Sequence, residues 1–228
     1  MLRARKDPLI EDLVADLVRR HRCHTVVLYG SRARGAAGPE SDYDVLAVRR
    51  SGPMTRDARV WRGAMIDAFV VGEVTLRATP VADLIKIHDG VVLEDKDGLG
   101  RRLLSRVRAA YARGPEALKP DEAEATRLWC VKMLKRIEAV AGEPGVSNYR
   151  RASILTELLP IYFQLRKRWF LGPRPALRWL AENDPPLSEA FHAALEPDAS
   201  QAEMERLVRL VVGDWLLPAE PEPSARDQ

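Results

Sequence analysis

Apolar residues recur at helical spacing near the start of the chain. Leu9, Leu13, Leu17 and Val18 mark one side of a helix running to about Arg22. Asp7 is placed to cap it, and Pro8 suits the first helical position. The period then shortens: Thr-Val-Val-Leu-Tyr within residues 24–29 has the unbroken apolar character of a buried strand. Residues 30–39 hold three glycines and a proline and read as a turn or loop. Residues 43–48 and 64–71 read as second and third strands, with 74–77 continuing the latter beyond a bend at Gly72. A helix over 80–88, a strand over 91–94 and an arginine-rich helix over 99–113 complete this half.

The pattern changes after Gly114-Pro115. Asp121 reads as the cap of a helix to about Ala141, with Leu128, Val131, Leu134, Ile137 and Val140 along one side. Gly142-Glu143-Pro144-Gly145 breaks it. Ser147 then opens a helix to Leu171, where Pro160 predicts a kink because it removes one hydrogen bond. Shorter helices are expected over 175–182 and 186–195, and a last one over 200–217. Trp129, Tyr162, Phe163, Trp169 and Trp179 read as core of this bundle. Residues 218–228 are polar and proline-rich and read as a flexible tail. The expected organisation is an α/β (α+β) domain with a mixed sheet over residues 1–114, an all-α helical bundle over 115–218, and the tail.

Composition narrows the class. Lys and Arg number 36 against 33 Asp and Glu, so the net charge of +3 is a small imbalance and does not predict an electrostatic nucleic-acid binder. Two cysteines, Cys23 and Cys130, are too few for a disulfide framework and favour a reducing, cytoplasmic setting. No apolar run approaches the ~20 residues that span a bilayer, so no membrane partner is expected.

Three carboxylates stand out. Asp42 and Asp44 are two residues apart at the start of the second strand, so the pleat points both to one face while Tyr43 and Val45 face apolar packing. Two anions this close repel unless a cation lies between them, and a hard ion such as Mg²⁺ prefers such oxygen ligands. The alternative is that Asp42 caps a turn and Asp44 pairs with an arginine. Asp67 interrupts the apolar run Ala-Met-Ile-Asp-Ala-Phe-Val-Val, where an unpaired charge would be costly. Either an arginine or a metal shared with the other two must compensate it. Just upstream, Gly30-Ser31-Arg32-Ala33-Arg34-Gly35 follows a buried strand. Its small residues let a phosphate approach the backbone, Ser31 can donate a hydroxyl bond, and Arg32 and Arg34 can neutralise oxygens or hold the loop down.

The order of these parts resembles the polymerase-β-type nucleotidyltransferase superfamily: Val27-Leu28-Tyr29-Gly30-Ser31, ten intervening residues, then Asp42-Tyr43-Asp44-Val45. The Gly-Ser-Arg-Ala-Arg-Gly wording is similar to the small bacterial members. A helical bundle after the domain is similar in layout to the kanamycin- and streptomycin-type antibiotic nucleotidyltransferases. The resemblance implies Mg²⁺-dependent transfer of a nucleoside monophosphate, AMP from ATP, to a hydroxyl-bearing acceptor. Asp42, Asp44 and Asp67 would be catalytic and would hold two Mg²⁺ ions. Gly30 and Ser31, with Arg32 and Arg34, would receive the nucleotide. An aminoglycoside-like small molecule is the first acceptor implied, with the bundle as far wall of a cleft. Adenylylation of a partner protein, as in toxin neutralisation, and a non-catalytic nucleotide-binding or antitoxin-like module are the rival readings. The base could be Asp67 or a glutamate of the bundle, where Glu138 and Glu157 lie without a distinguishing motif. Acceptor identity, base preference and homodimer formation are left open.

Two weaker patterns have plain explanations. His21, Cys23 and His24 cluster as soft-metal ligands do, but they fall at a helix-to-strand junction with no second cluster. Arginines over 101–113 and 150–168 suggest nucleic acid, yet with only seven lysines in the chain a solvated helix face is the simpler reading. Asn148, Tyr149 and Arg150 read as a first helical turn with Tyr149 packed, or as a basic group reaching a nucleotide phosphate.

Overall fold

The structure is a computed structural model that describes Asp7 and residues 9–213. It divides between Gly114 and Pro115 into two compact units. Residues 1–6, Pro8, residues 214–217 of the last expected helix and the expected tail lie outside the described residues.

The first unit opens with α1 (Leu9–His21), capped by the Asp7 carboxylate accepting from Leu9 N at 3.0 Å. Five strands follow: β1 (Cys23–Tyr29), β2 (Tyr43–Arg49), β3 (Thr55–Trp61), β4 (Ala64–Gly72) and β5 (Val91–Asp95), in the order β3-β4-β2-β1-β5. The β2–β4 pair is parallel and the other three pairs are antiparallel, so the sheet is mixed. Alternation divides its faces. Tyr43, Val45, Ile66, Ala68, Val26 and Leu28 lie on one face with Ile10, Leu13 and Leu17 of α1 in one buried cluster. Each fully buried aliphatic side chain there contributes about 1.5–3 kcal/mol. Val18, expected in that stripe, is instead exposed. The alternate residues, Tyr29, Asp44 and Asp67, therefore point away from α1.

Three sequence expectations are corrected here. β3 was absent from the hydrophobic pattern because its alternation is charged: Asp57 and Arg59 face α1, and Arg56 faces the opposite side. Asp57 meets His21 Nε2 at 2.7 Å, and Arg59 pairs with the buried Asp16 of α1. The expected strand over 74–77 is helix α3 (Glu73–Ala78), stabilised by Arg77 reaching back to Glu73 at 3.0 Å; Val74 is 76% exposed, so no sheet face claims it. The expected helix over 80–88 is a 3₁₀ turn, Val81–Ile87, which buries Leu84, Ile85 and Ile87. Between these elements, the Gly-Ser segment forms one helical turn, α2 (Gly30–Ala33), and α4 (Leu99–Arg113) closes the unit on Leu103, Leu104 and Val107.

The second unit contains α5 (Pro120–Glu138), α6 (Pro144–Leu165), α7 (Pro173–Asn183), α8 (Pro185–Leu195) and α9 (Gln201–Val212). Leu158, Leu180, Leu187, Phe191, Met204, Leu207 and Val211 form its buried core, with Trp129 and Trp179 partly buried against it. Lys119, not Asp121, precedes α5: Pro120 takes the first position and Glu122 accepts from Lys119 N at 3.1 Å. Leu128 lies off the buried side and is exposed. α6 begins at Pro144, three residues before Ser147, because proline is as suited to a first turn as to a break. It contains Pro160 and ends at Leu165, where Lys167 adopts φ 54° and Arg168 N donates to Phe163 O at 2.8 Å. α9 has a reciprocal cap, with Ser200 N donating to Glu203 and Ser200 Oγ accepting from Glu203 N.

Candidate active site

Strand register builds a polar row. Tyr29 of β1 pairs with Asp44 of β2, and Asp44 pairs with Asp67 of β4. Because directly paired residues share a face, the phenol and both carboxylates lie side by side. Asp42 stands just before β2. Burial pushes the Asp44 carboxyl above its ordinary range, and the Asp42 and Asp67 charges push it further, against the pull of Arg34 and Lys86. Burial, then Asp44 and Asp67, likewise drive the Tyr29 phenol well above its usual value, so it stays protonated as a neutral neighbour. Tyr29, quoted in the sequence signature without a role, thus stands in the row, and the charge of Lys86, in the 3₁₀ turn, acts on Asp44 although motif reading gave it no role.

Asp67 has found an arginine. Arg56 of β3 grips both its oxygens, Nε at 2.6 Å and Nη2 at 2.7 Å. The geometry follows from the register: Ala58 is opposite Asp67, and Arg56, two residues along the same face, reaches back. Its side chain is 60% exposed against 22% for Asp67. No group of three His, Cys, Asp or Glu among the described residues is gathered to hold a metal ion. Asp42 and Asp44 retain the hard-oxygen character a divalent cation selects.

The Gly-Ser turn is fitted against Asp44. Gly30 has φ +74°, and a Cβ there would fall 2.3 Å from Asp44 Oδ2. Only glycine permits both the backbone conformation and this approach. Among the described residues, Ser31 Oγ has no hydrogen-bond partner, whereas the loop arginines are engaged. Arg32 donates to Ser41 O at 3.0 and 2.6 Å and to Asp7 at 3.2 Å, and stacks 3.8 Å over Tyr43. Arg34 pairs with Asp89 at 2.5 Å. Arg32 thus holds the loop down, and Arg34 is tethered at its rim.

The other clusters disperse. His21 goes to Asp57, and His24 Nε2 lies 3.2 Å from Glu73. Cys23 is buried, with its thiol pushed up to about 11 by that burial. Many arginines of the suspected basic faces bind backbone carbonyls: Arg108 takes those of His88 and Gly90, Arg151 those of Ala199, Glu196 and Pro197, and Arg166 those of Val211 and Leu210. Tyr149, expected to pack, is 78% exposed.

The described residues thus form a five-stranded mixed sheet with its helices, followed by a helical region. The family described as nucleotidyltransferase domain matches residues 10–87, from α1 through the 3₁₀ turn, and supports a nucleotidyl-transfer activity for this unit. No curated protein matches the chain. Among solved structures it is similar to the nucleotidyltransferase-like protein from Exiguobacterium sibiricum 255-15, with 10% sequence identity and a TM-score of 0.45 over 89% of this chain and 73% of that one. No helix among the described residues is long and apolar enough to cross a membrane.

Proposed function

We propose that the chain transfers a nucleoside monophosphate, AMP from ATP, to a hydroxyl of a small-molecule acceptor, with an aminoglycoside-like compound the first candidate. The observation carrying this reading is the Asp44–Asp67 register pair beside a Gly30 turn that only glycine can form. Asp42 and Asp44 would hold Mg²⁺, and Asp67 would join them on release from Arg56. A bound divalent cation neutralises the charge that builds on attacking and leaving oxygens. Gly30 lets the loop backbone close on the Asp44 carboxylate, and the Ser31 hydroxyl donates to a phosphate oxygen. The acceptor oxygen bonds to the α-phosphorus as the bond to the β-phosphate oxygen breaks, pyrophosphate leaves in line, and Asp67 takes the hydroxyl proton. Arg32 contributes by fixing the loop.

The test is incubation of purified chain with α-labelled ATP and Mg²⁺, alone, with an aminoglycoside panel, or with cell lysate. Label on a drug supports the reading as stated. Label on a protein transfers the same chemistry to a macromolecular acceptor. ATP binding without transfer in any arm would leave a nucleotide-binding module.

A further inference from the structure

The helical unit has a cavity of about 320 Å³ between α5 and α6, near the lower end of the roughly 300–1,000 Å³ typical of small-molecule sites. Trp129 and Met133 of α5, with Tyr149 and Ile154 of α6, give it an aromatic and apolar wall; Arg136 and Arg150 add two guanidiniums. The Nε of Arg150 is buried and has no hydrogen-bond partner. Neither arginine has an ion-pair partner among the described residues. Arg151, the chain neighbour of Arg150, by contrast satisfies its donors on three backbone carbonyls. Buried polar groups are normally satisfied, so the lone Nε marks Arg150, a residue of the cavity wall, as a guanidinium without its acceptor.

We propose that this cavity binds a small organic anion bearing a planar ring. Arg150 and Arg136 receive its carboxylate or phosphate, and the ring lies against Trp129 and Tyr149. A guanidinium fork matches either oxyanion, and the exposed Tyr149 ring offers the ligand a face at little entropic cost. The site has the wrong charge for a polycationic aminoglycoside. It stands on α5 and α6 alone and does not depend on the nucleotidyl-transfer reading.

Calorimetric titration of the full chain tests this with phenyl phosphate and benzoate as ring-bearing anions, inorganic phosphate as an anion without a ring, and benzyl alcohol as a ring without charge. At least one ring-bearing anion should bind with unit stoichiometry and more tightly than both controls. Arg150→Gln should weaken it about tenfold, as expected for losing a charge-assisted hydrogen bond. Tyr149→Ser, at an exposed position that does not threaten folding, should weaken it severalfold. The arm that binds, phosphate or carboxylate, identifies the oxyanion. Ring-bearing anions binding no better than the controls, or binding unchanged in both Arg150→Gln and Tyr149→Ser, would overturn the proposal.

Discussion

Asp44 of β2 and Asp67 of β4 are direct partners across a parallel strand pair, so two carboxylates project side by side from the sheet face opposite α1. Like charges in that arrangement raise the proton affinity of Asp44, already raised by burial. Its ionised form therefore costs the fold stability at neutral pH. Asn has the same shape without the charge. Asp44→Asn should raise the melting temperature in the absence of divalent cations while lowering nucleotidyl transfer by about 10²–10³-fold, the scale of losing an electrostatic contact to the reacting groups. Thermal melts and the labelled-ATP assay measure the two effects. Unchanged turnover would remove Asp44 from the chemistry.

Gly30 has no tolerance for a side chain. Its left-handed backbone alone costs an alanine about 1–2 kcal/mol, and the added Cβ meets Asp44 Oδ2 at 2.3 Å. Gly30→Ala should lower the melting temperature and suppress transfer by displacing the Asp44 carboxylate. Gly38→Ala, in the same loop with nothing within 4 Å, is the matched control and should change neither. Equal behaviour of the two variants would show that the turn does not position Asp44.

The sheet was legible where burial wrote it. β1, β2 and β4 bury a face beneath α1, and their apolar runs gave their positions, whereas the pairing of Asp44 with Asp67 followed only from the register of β2 on β4. β3 was not legible, because an edge strand is held mainly by hydrogen bonds to β4. Its outward Val60 is 71% exposed, and Arg56, Asp57 and Arg59 place charges on both faces, leaving Trp61 as its apolar contact with the core. Missing β3 meant missing Arg56, the residue that decides the state of Asp67. The sequence had offered an arginine or a metal as the compensating charge, and the choice depended on a strand with no apolar signature. The boundaries of α5 and α6 failed for another reason: Pro120 and Pro144 start helices, and proline reads equally as starter or breaker.

The Arg56–Asp67 pair competes with any cation for the same two oxygens. Arg56 is solvent-facing but Asp67 is half-buried beside Asp44, so removing the pair should lower the melting temperature modestly in the absence of divalent cations. Arg56→Gln should tighten divalent-cation binding roughly two- to fivefold, the range an exposed ion pair is worth. Mn²⁺ titration followed by paramagnetic water relaxation gives the affinity, with Asp67→Asn as a control that should weaken it. If Arg56→Gln binds Mn²⁺ less tightly than the parent, Arg56 supports the cation site instead of competing with it.

On the other face, Asp16 should make β3 sensitive to acid. Burial alone would raise the Asp16 carboxyl, but Arg19, Arg59 and Arg20 outweigh it and hold the group below its ordinary value. A carboxyl whose folded pKa is depressed contributes stability above its unfolded pKa of about 4, and that contribution is lost as pH falls through the folded value. The pair joins α1 to an edge strand with little apolar anchoring, so its loss should loosen β3 first. Asp16→Asn should destabilise the protein by about 1–3 kcal/mol at neutral pH, because Arg59 is left without its buried carboxylate. The penalty should begin to shrink as the parent is acidified below about pH 4 and vanish only once pH has fallen through the depressed folded value, where Asp16 itself becomes neutral. Urea melts of both proteins across pH 3–7, with amide exchange in β3 read alongside, would show the two stability curves converging at low pH. Parallel curves across that range would mean that Asp16 holds β3 by shape and not by charge.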